Sequence, residues 1–134
     1  MDEYEKIRRL LAEYCFATDT GDTARWVALF TQDVRWEGGA FGRFEGREAA
    51  TAYHQGAGDA SKGFRHITSN SVIDLEGDRA SVASYVQVFD QSGDLPALAF
   101  SGVYQDVVVK QDGKWLIKER HLHPHPSGIS GGNG

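Results

Sequence analysis

The sequence contains 134 residues, with 19 aspartate and glutamate residues against 14 lysine and arginine residues, so its formal net charge is −5. A chain of this length forms one domain that buries about two-thirds of the surface its unfolded state exposes. The acidic balance argues against nucleic acid or an anionic membrane surface as a partner, and a small hydrophobic or weakly polar organic molecule fits better.

Targeting signals and cysteine use give further expectations. The sequence has no basic-then-apolar leader and no apolar run of about 18 residues, so we expect neither a signal peptide nor a membrane span. A cytoplasmic location is the corresponding expectation. Cys15 is the single cysteine, which excludes an internal disulfide, and its place in an apolar helical stripe favours a buried, inert thiol.

Two consecutive helices are predicted at the start of the chain, over residues 3–20 and 23–31. Gly21 can supply the left-handed residue that ends the first helix, and Asp22 can cap the second. Asp19 needs a different explanation, because a carboxylate in the last helical turn faces the negative end of the helix dipole. We therefore expect a positive or hydrogen-bonding partner for Asp19 elsewhere in the chain.

The remaining predicted elements are one helix and several strands. Their order predicts an α+β fold, in which three N-terminal helices pack on a strongly curved, mixed but mainly antiparallel sheet that forms a cone. One domain is expected over residues 1–126, followed by a flexible Gly- and Ser-rich tail over residues 127–134. The helix is expected over residues 47–56, and the strands over residues 34–37, 41–44, 64–75, 80–89, 98–110 and 114–122.

His66 is the best single candidate for the partner of Asp19. Strand alternation places Phe64, His66, Thr68 and Asn70 on one face, and a mixture of polar and apolar groups suits a ligand cavity. It equally suits a sheet that is half covered by helices. An imidazole titrates near neutrality, but the spacing alone favours an ordinary histidine with one hydrogen bond.

Several short motifs follow one another along nearly the whole domain. They occupy residues 14–22, 29–34, 44–49, 65–70, 102–106 and 115–120. In this order they resemble the SnoaL-like branch of the nuclear transport factor 2-like superfamily. That α+β cone superfamily includes scytalone dehydratase, hexachlorocyclohexane dehydrochlorinase, ketosteroid isomerase and polyketide cyclases.

The resemblance implies a chemistry for Asp19 and His66. In the dehydratase and dehydrochlorinase members, an aspartate at the end of the first helix orients a strand histidine that acts as general base. Asp19 and His66 stand at the matching positions, so the resemblance implies a lyase that needs no metal or cofactor. An isomerase or polyketide cyclase-like enzyme is the alternative, as is a non-catalytic cone that binds a hydrophobic ligand.

Seven residues are candidates for substrate binding, as donors to a developing oxyanion or as aromatic walls of the site. Arg120 has an alternative role as the ion-pair partner of Asp106, and Tyr14 matches the oxyanion tyrosine of the isomerase but also fits simple packing. Two departures are evident: Thr18 replaces a tyrosine of scytalone dehydratase, and Gly38 replaces the isomerase base. The candidates are Tyr14, Trp36, Phe64, Asn70, Tyr85, Tyr104 and Arg120.

Two further expectations concern assembly and metals. The resemblance implies a homodimer or homotrimer, with Ile67, Ile73 and Val103 as candidate contacts, although helices could equally cover them. Alternation also puts the imidazoles of His121, His123 and His125 on one side of an extended segment, as in some zinc or nickel sites. We favour a solvated terminal strand, because prolines flank the last histidine and no carboxylate or cysteine accompanies the set.

Overall fold

Three α-helices and a six-stranded sheet build the fold, seen in a computed structural model that describes residues 1–58 and 62–125. The predicted α+β class is confirmed, whereas the predicted tail over residues 127–134 lies outside the described residues. The helices are α1 (Glu3–Thr20), α2 (Thr23–Val27) and α3 (Gly46–Ala57). The strands are β1 (Phe30–Glu37), β2 (Arg43–Glu45), β3 (Phe64–Glu76), β4 (Arg79–Asp90), β5 (Ala97–Gln111) and β6 (Lys114–His125).

The sheet is mixed and open. Its strand order is β2-β1-β6-β5-β4-β3, so β2 and β3 form its two edges. β1 pairs with β6 in parallel, while the other described strand pairs are antiparallel. Parallel pairing requires a long crossover, and here the chain between β1 and β6 supplies it with α3 and the three strands β3 to β5.

The corner between α1 and α2 follows the predicted capping chemistry. Gly21 adopts a left-handed conformation with φ of 71°, which ends α1. Asp22 caps α2 through its carboxylate, which accepts a hydrogen bond from the backbone N–H of Arg25 at 3.1 Å. These two residues turn the chain sharply, so that the last turn of α1 faces the sheet.

The second helix is shorter than predicted. It ends at Val27 rather than at residue 31, and Phe30 already belongs to β1, where it pairs with Ile117 of β6. The spacing of the apolar side chains fits both a helix and a strand, and burial decides between them. Phe30 is fully buried, and its carbonyl accepts a hydrogen bond from Arg47 Nε at 2.9 Å.

The hairpin after β1 also differs from the prediction. A short 3₁₀ helix occupies Gly39–Phe41, and the returning strand is Arg43–Glu45 rather than residues 41–44. Gly38 makes the tight turn possible, since its N–H donates to the Gly42 carbonyl at 2.8 Å. Its α-carbon also lies under the Trp36 indole, where any side chain would collide.

The core fills the space between the helices and one face of the sheet. From β4 it receives every second side chain, as alternation predicts: Ala80, Val82, Ser84, Val86 and Val88 are buried. Ile73 also packs against this core, whereas Ile67 is exposed on the other sheet face. Cys15 is buried, as expected. Within residues 1–58 and 62–125, none of the helices has the length and apolar character needed to cross a membrane.

Candidate active site

Asp19 and His66 are joined by two hydrogen bonds. The Oδ1 atom of Asp19 lies 2.6 Å from His66 Nδ1, and its Oδ2 atom accepts the backbone N–H of His66 at 2.9 Å. The fold explains the second contact: β3 is an edge strand, so this N–H points away from the sheet and towards α1. The carboxylate at the end of α1 thus has the hydrogen-bonding partner that its place in the helix dipole requires.

The geometry sets the protonation pattern of the His66 ring. A carboxylate at this distance accepts a hydrogen bond, so Nδ1 carries the proton of the neutral imidazole and Nε2 presents a lone pair. Among the described residues, none forms a hydrogen bond with Nε2. The arrangement can therefore accept a proton at Nε2, while Asp19 stabilises the imidazolium that results.

His66 lines an aromatic cavity of ≈ 240 Å³ between the helices and the sheet. Its walls are largely apolar, and polar atoms come from a few side chains, which is the usual composition of a small-molecule site. An outer groove of ≈ 730 Å³ lies between α1 and the start of β3, and Phe64 and His66 line both spaces. The cavity is lined by Tyr14, Thr18, Trp26, Trp36, Phe41, Tyr53, His54, Ala57, Phe64, His66, Phe100, Tyr104 and Leu122.

Two buried phenols supply hydrogen-bond donors to the cavity. Trp36 Nε1 donates to the Tyr14 hydroxyl at 3.1 Å, which leaves the Tyr14 proton free to donate in turn. Burial raises the pKa of Tyr14 and raises that of Tyr104 well above its ordinary value. Both phenols therefore stay protonated at neutral pH. Of the predicted substrate-binding residues, the structure brings Tyr14, Trp36, Phe64 and Tyr104 together around His66.

Arg120 does not line this cavity and instead pairs with Asp106. Its Nε and Nη2 atoms lie 2.7 and 2.9 Å from the two carboxylate oxygens, and both side chains are fully buried. The guanidinium also lies over the rings of Tyr104 and Tyr14, at 3.7 and 4.2 Å from their centroids. Burial alone would lower the pKa of Arg120, but the Asp106 carboxylate raises it above its ordinary value. Of the two alternatives for Arg120, the structure shows the ion pair.

Asn70 and Tyr85 lie on the opposite face of the sheet from His66, so their predicted place in the pocket is wrong. The pairing of β3 with β4 shifts between Ser69 and Val72, and Asn70 takes a left-handed conformation with φ of 57°. This bulge adds a residue and reverses the alternation beyond it. Tyr85 is 56% exposed and lines an outer crevice together with Asn70.

His54 is a cavity residue that the sequence analysis missed. It lies in the last turn of α3, is 8% exposed, and stacks on Trp26 with ring centroids 4.7 Å apart. Its Nδ1 atom lies 2.7 Å from Thr23 Oγ1. Burial lowers the pKa of His54, so its ring is neutral at pH 7. Its four-residue spacing from the buried Ala50 was the available sequence signal, since both lie on one helix face.

The three histidines near residue 125 belong to β6, which is longer than predicted and ends at His125. His121, His123 and His125 are exposed on the outer sheet face. The rings of His121 and His123 stack at 4.2 Å, and His123 Nε2 lies 2.9 Å from Gln105 Oε1. In the part of the chain that the structure describes, no group of three or more His, Cys, Asp or Glu side chains is placed to hold a metal ion.

The SnoaL-like domain family matches residues 1–121 of the sequence. This chain is a SnoaL-like protein. Rv3472 from Mycobacterium tuberculosis, of unknown function, is 31% identical to it with a TM-score of 0.85, and the match covers 91% of this chain and 71% of that chain. No match is found among the curated proteins.

Two further solved structures share the fold of this SnoaL-like protein. A protein of unknown function with a cystatin-like fold from Nostoc punctiforme is 28% identical, with a TM-score of 0.86, over 93% of this chain and 92% of that one. A protein from Novosphingobium aromaticivorans described as a candidate scytalone dehydratase is 29% identical, with a TM-score of 0.81, over 91% of this chain and 83% of that one. The family and the α+β fold follow from these matches.

Proposed function

We propose that this SnoaL-like protein is a cofactor-independent lyase in which His66 removes a proton from a small organic substrate. The observation that carries the proposal is the 2.6 Å contact between Asp19 Oδ1 and His66 Nδ1 beside an aromatic cavity. Asp19 holds the ring in one tautomer and stabilises the imidazolium, while Nε2 takes the proton. A positioned general base of this kind contributes roughly 100- to 10,000-fold to the rate.

The reaction is an elimination of water or of a hydrogen halide. The proton that His66 Nε2 accepts is one made acidic by a neighbouring carbonyl or leaving group, and the electron pair of the broken C–H bond forms a carbon–carbon double bond. The hydroxide or halide leaves from the adjacent carbon with the electron pair of its own bond. Tyr14 and Tyr104 are the donors that stabilise charge developing on a substrate oxygen.

The cavity limits the size of the substrate. Its volume of ≈ 240 Å³ is below the roughly 300 to 1,000 Å³ of sites that take drug-sized ligands. Aromatic walls favour a flat or cyclic, weakly polar compound, and the conical curvature predicted for the sheet would enclose it. The relative described as a candidate scytalone dehydratase supports dehydration over dehydrohalogenation.

Isomerisation or cyclisation is the second candidate. The same proton abstraction gives either reaction when the carbanion is re-protonated or captured instead of expelling a leaving group. Nothing in the dyad distinguishes these outcomes. Gly38 occupies the place of the isomerase base, which favours a reaction that uses His66. A non-catalytic protein would use the same aromatic walls for binding alone.

Turnover of β-hydroxy carbonyl and halogenated compounds tests the proposal. We expect His66→Gln and Asp19→Asn to lower kcat by roughly 100- to 10,000-fold. His121→Gln is the matched control, because His121 is an exposed histidine on the outer sheet face. Ligand affinity can be followed by the fluorescence of Trp26 and Trp36, which line the cavity, and it should change little in both dyad variants.

Unchanged turnover in both dyad variants would contradict the proton-abstraction mechanism. Binding that quenches the tryptophans with no product from any compound class would favour the non-catalytic alternative. Product analysis by NMR separates the remaining cases, since elimination releases water or halide and isomerisation releases nothing.

A homodimer or homotrimer that covers the outer sheet face is part of the proposal. Ile67 is 42% exposed on this face and Tyr85 is 56% exposed, and their burial would remove apolar surface from water. Light scattering after size-exclusion chromatography measures the assembly, and Tyr85→Lys should shift it towards the monomer.

A further inference from the structure

His54 is a second histidine at the cavity, and its ring is engaged on several sides. Its Nδ1 atom lies 2.7 Å from Thr23 Oγ1, and the ring stacks on Trp26 at an angle of 22°. The Thr18 backbone also acts on this ring, where it favours the protonated imidazole. With Nδ1 held by Thr23 and the ring stacked on Trp26, His54 is a poor candidate for donating a proton to a substrate.

The residues that contact the His54 ring indicate its role. Thr18 precedes Asp19 in the last turn of α1, and Thr23 is the first residue of α2. The chain between them contains the left-handed Gly21, whose N–H reaches the Thr18 carbonyl at a long 3.4 Å. A ring from α3 that contacts both sides of this corner therefore restrains the segment that carries Asp19.

We propose that His54 is a positioning residue that holds the α1–α2 corner and thereby fixes the Asp19 carboxylate against His66. The 2.6 Å contact between Asp19 and His66 needs the last turn of α1 to keep its distance from β3. A misplacement of about 1 Å in such a geometry can cost 100-fold in rate. The catalytic meaning of this role rests on the proposed function, but the positioning itself does not.

Thr23 offers a test that leaves the cavity wall intact, because its side chain contacts His54 but does not line the cavity. Thr23→Val keeps the shape and removes the hydroxyl, and Thr23→Ser keeps the hydroxyl. His54→Phe keeps the aromatic stack on Trp26 and removes the polar contacts of the ring. The three variants distinguish a restraint by the hydrogen bonds of His54 from simple filling of space by its ring.

Long-range ¹H–¹⁵N correlation of the histidine rings is the direct readout, because ring nitrogen shifts report the tautomer even when the Nδ1 proton exchanges with water. In the parent protein and in Thr23→Ser, we expect His66 to show the tautomer protonated at Nδ1. In His54→Phe and Thr23→Val, we expect this signature to be lost in favour of mixed tautomers. Once a substrate is known, kcat of Thr23→Val should fall by up to about 100-fold at nearly constant KM.

An unchanged His66 signature in either Thr23→Val or His54→Phe would overturn the positioning role. If His54→Phe unfolds, Thr23→Val alone decides, since it changes no wall of the cavity. The spectra need no substrate, so this test is independent of the lyase proposal. Loss of the Nδ1-protonated tautomer of His66 in the variants of a protein without lyase activity would support the positioning role of His54 and contradict the proposed function.

Discussion

Two carboxylate pairs in this protein have nearly the same shortest contact but differ in burial. Asp19 and His66 meet at 2.6 Å with side chains 19% and 13% exposed, whereas Asp106 and Arg120 meet at 2.7 Å with side chains fully buried. In the first pair, the histidine also lines a cavity. In the second, the carboxylate accepts hydrogen bonds from two of the guanidinium nitrogens, and tyrosine rings flank the cation.

Burial is the main difference between the pair that we propose to be reactive and the pair that is structural. A group that takes up and releases a proton needs an atom without a hydrogen bond and a space where a substrate fits; His66 lines a cavity, and its Nε2 forms no hydrogen bond with the described residues. Arg120 cannot lose its proton at any ordinary pH, and its role is to carry fixed positive charge beneath the two phenols.

Asp106→Ala should destabilise the protein by about 3 to 5 kcal/mol, because it leaves the buried Arg120 cation without its counter-ion. Urea unfolding followed by tryptophan fluorescence measures the loss. A change below about 1 kcal/mol would show that water reaches Arg120 in the variant and that the pair is not the structural one of the two.

Asp19→Ala should cost less, about 1.5 kcal/mol, because the lost hydrogen bonds with His66 are partly exposed. Removal of a carboxylate from the C-terminal turn of α1 also relieves an unfavourable interaction with the helix dipole. The same urea experiment gives the value. A loss of stability equal to that of Asp106→Ala would show that the two pairs do not differ in their contribution to stability.

The double variant Asp106→Leu with Arg120→Met should fold with a stability within about 1 kcal/mol of the parent. Replacing both members of a buried ion pair by apolar residues of similar size is often neutral or stabilising. Compared with Asp106→Ala, the double variant isolates the cost of the unpaired charge. A loss of stability as large as in Asp106→Ala would instead show that the ion pair itself stabilises the folded protein.

The smallest expected effect is a pH dependence of the free energy of unfolding, caused by His54 on the Asp19 side of the molecule. Burial lowers the pKa of His54 from its ordinary 6.5, so the unfolded chain binds this proton more readily than the folded one. Stability should therefore be complete above pH 6.5 and should fall as the pH decreases towards the lowered value. His54→Phe should flatten this part of the profile. A slope of the opposite sign would mean that the folded state stabilises the charged ring.

The parts of the fold that depend on local chemistry could be predicted from the sequence. The apolar stripe of α1, the left-handed Gly21 and the Asp22 cap each depend on residues that are close in sequence, and each is as expected. The partner of Asp19 followed from its position in the helix dipole together with a histidine on a predicted strand. The family resemblance then suggested the chemistry that we propose.

The errors arose where tertiary contacts decide between equal local patterns. Phe30 fits the apolar face of a helix as well as a strand, and its pairing with Ile117 is invisible in the local sequence. Asn70 was placed by counting along β3, and a single bulge reverses such a count. His54 was missed because its partner Thr23 comes from another helix. Arg120 had two possible roles, in the pocket or in an ion pair with Asp106, until the structure showed the ion pair.

The parallel pairing of β1 with β6 has a consequence for how the protein is made. Phe30 of β1 meets Ile117 of β6, so this contact closes a loop that contains most of the domain. Such distant contacts slow folding, because the loop must lose its freedom before the pairing is gained. During synthesis on the ribosome, β1 cannot pair with β6 until β6 has been made. Until then, one edge of β1 lacks its partner strand, and the aromatic side chains of the future cavity are exposed to association with other chains.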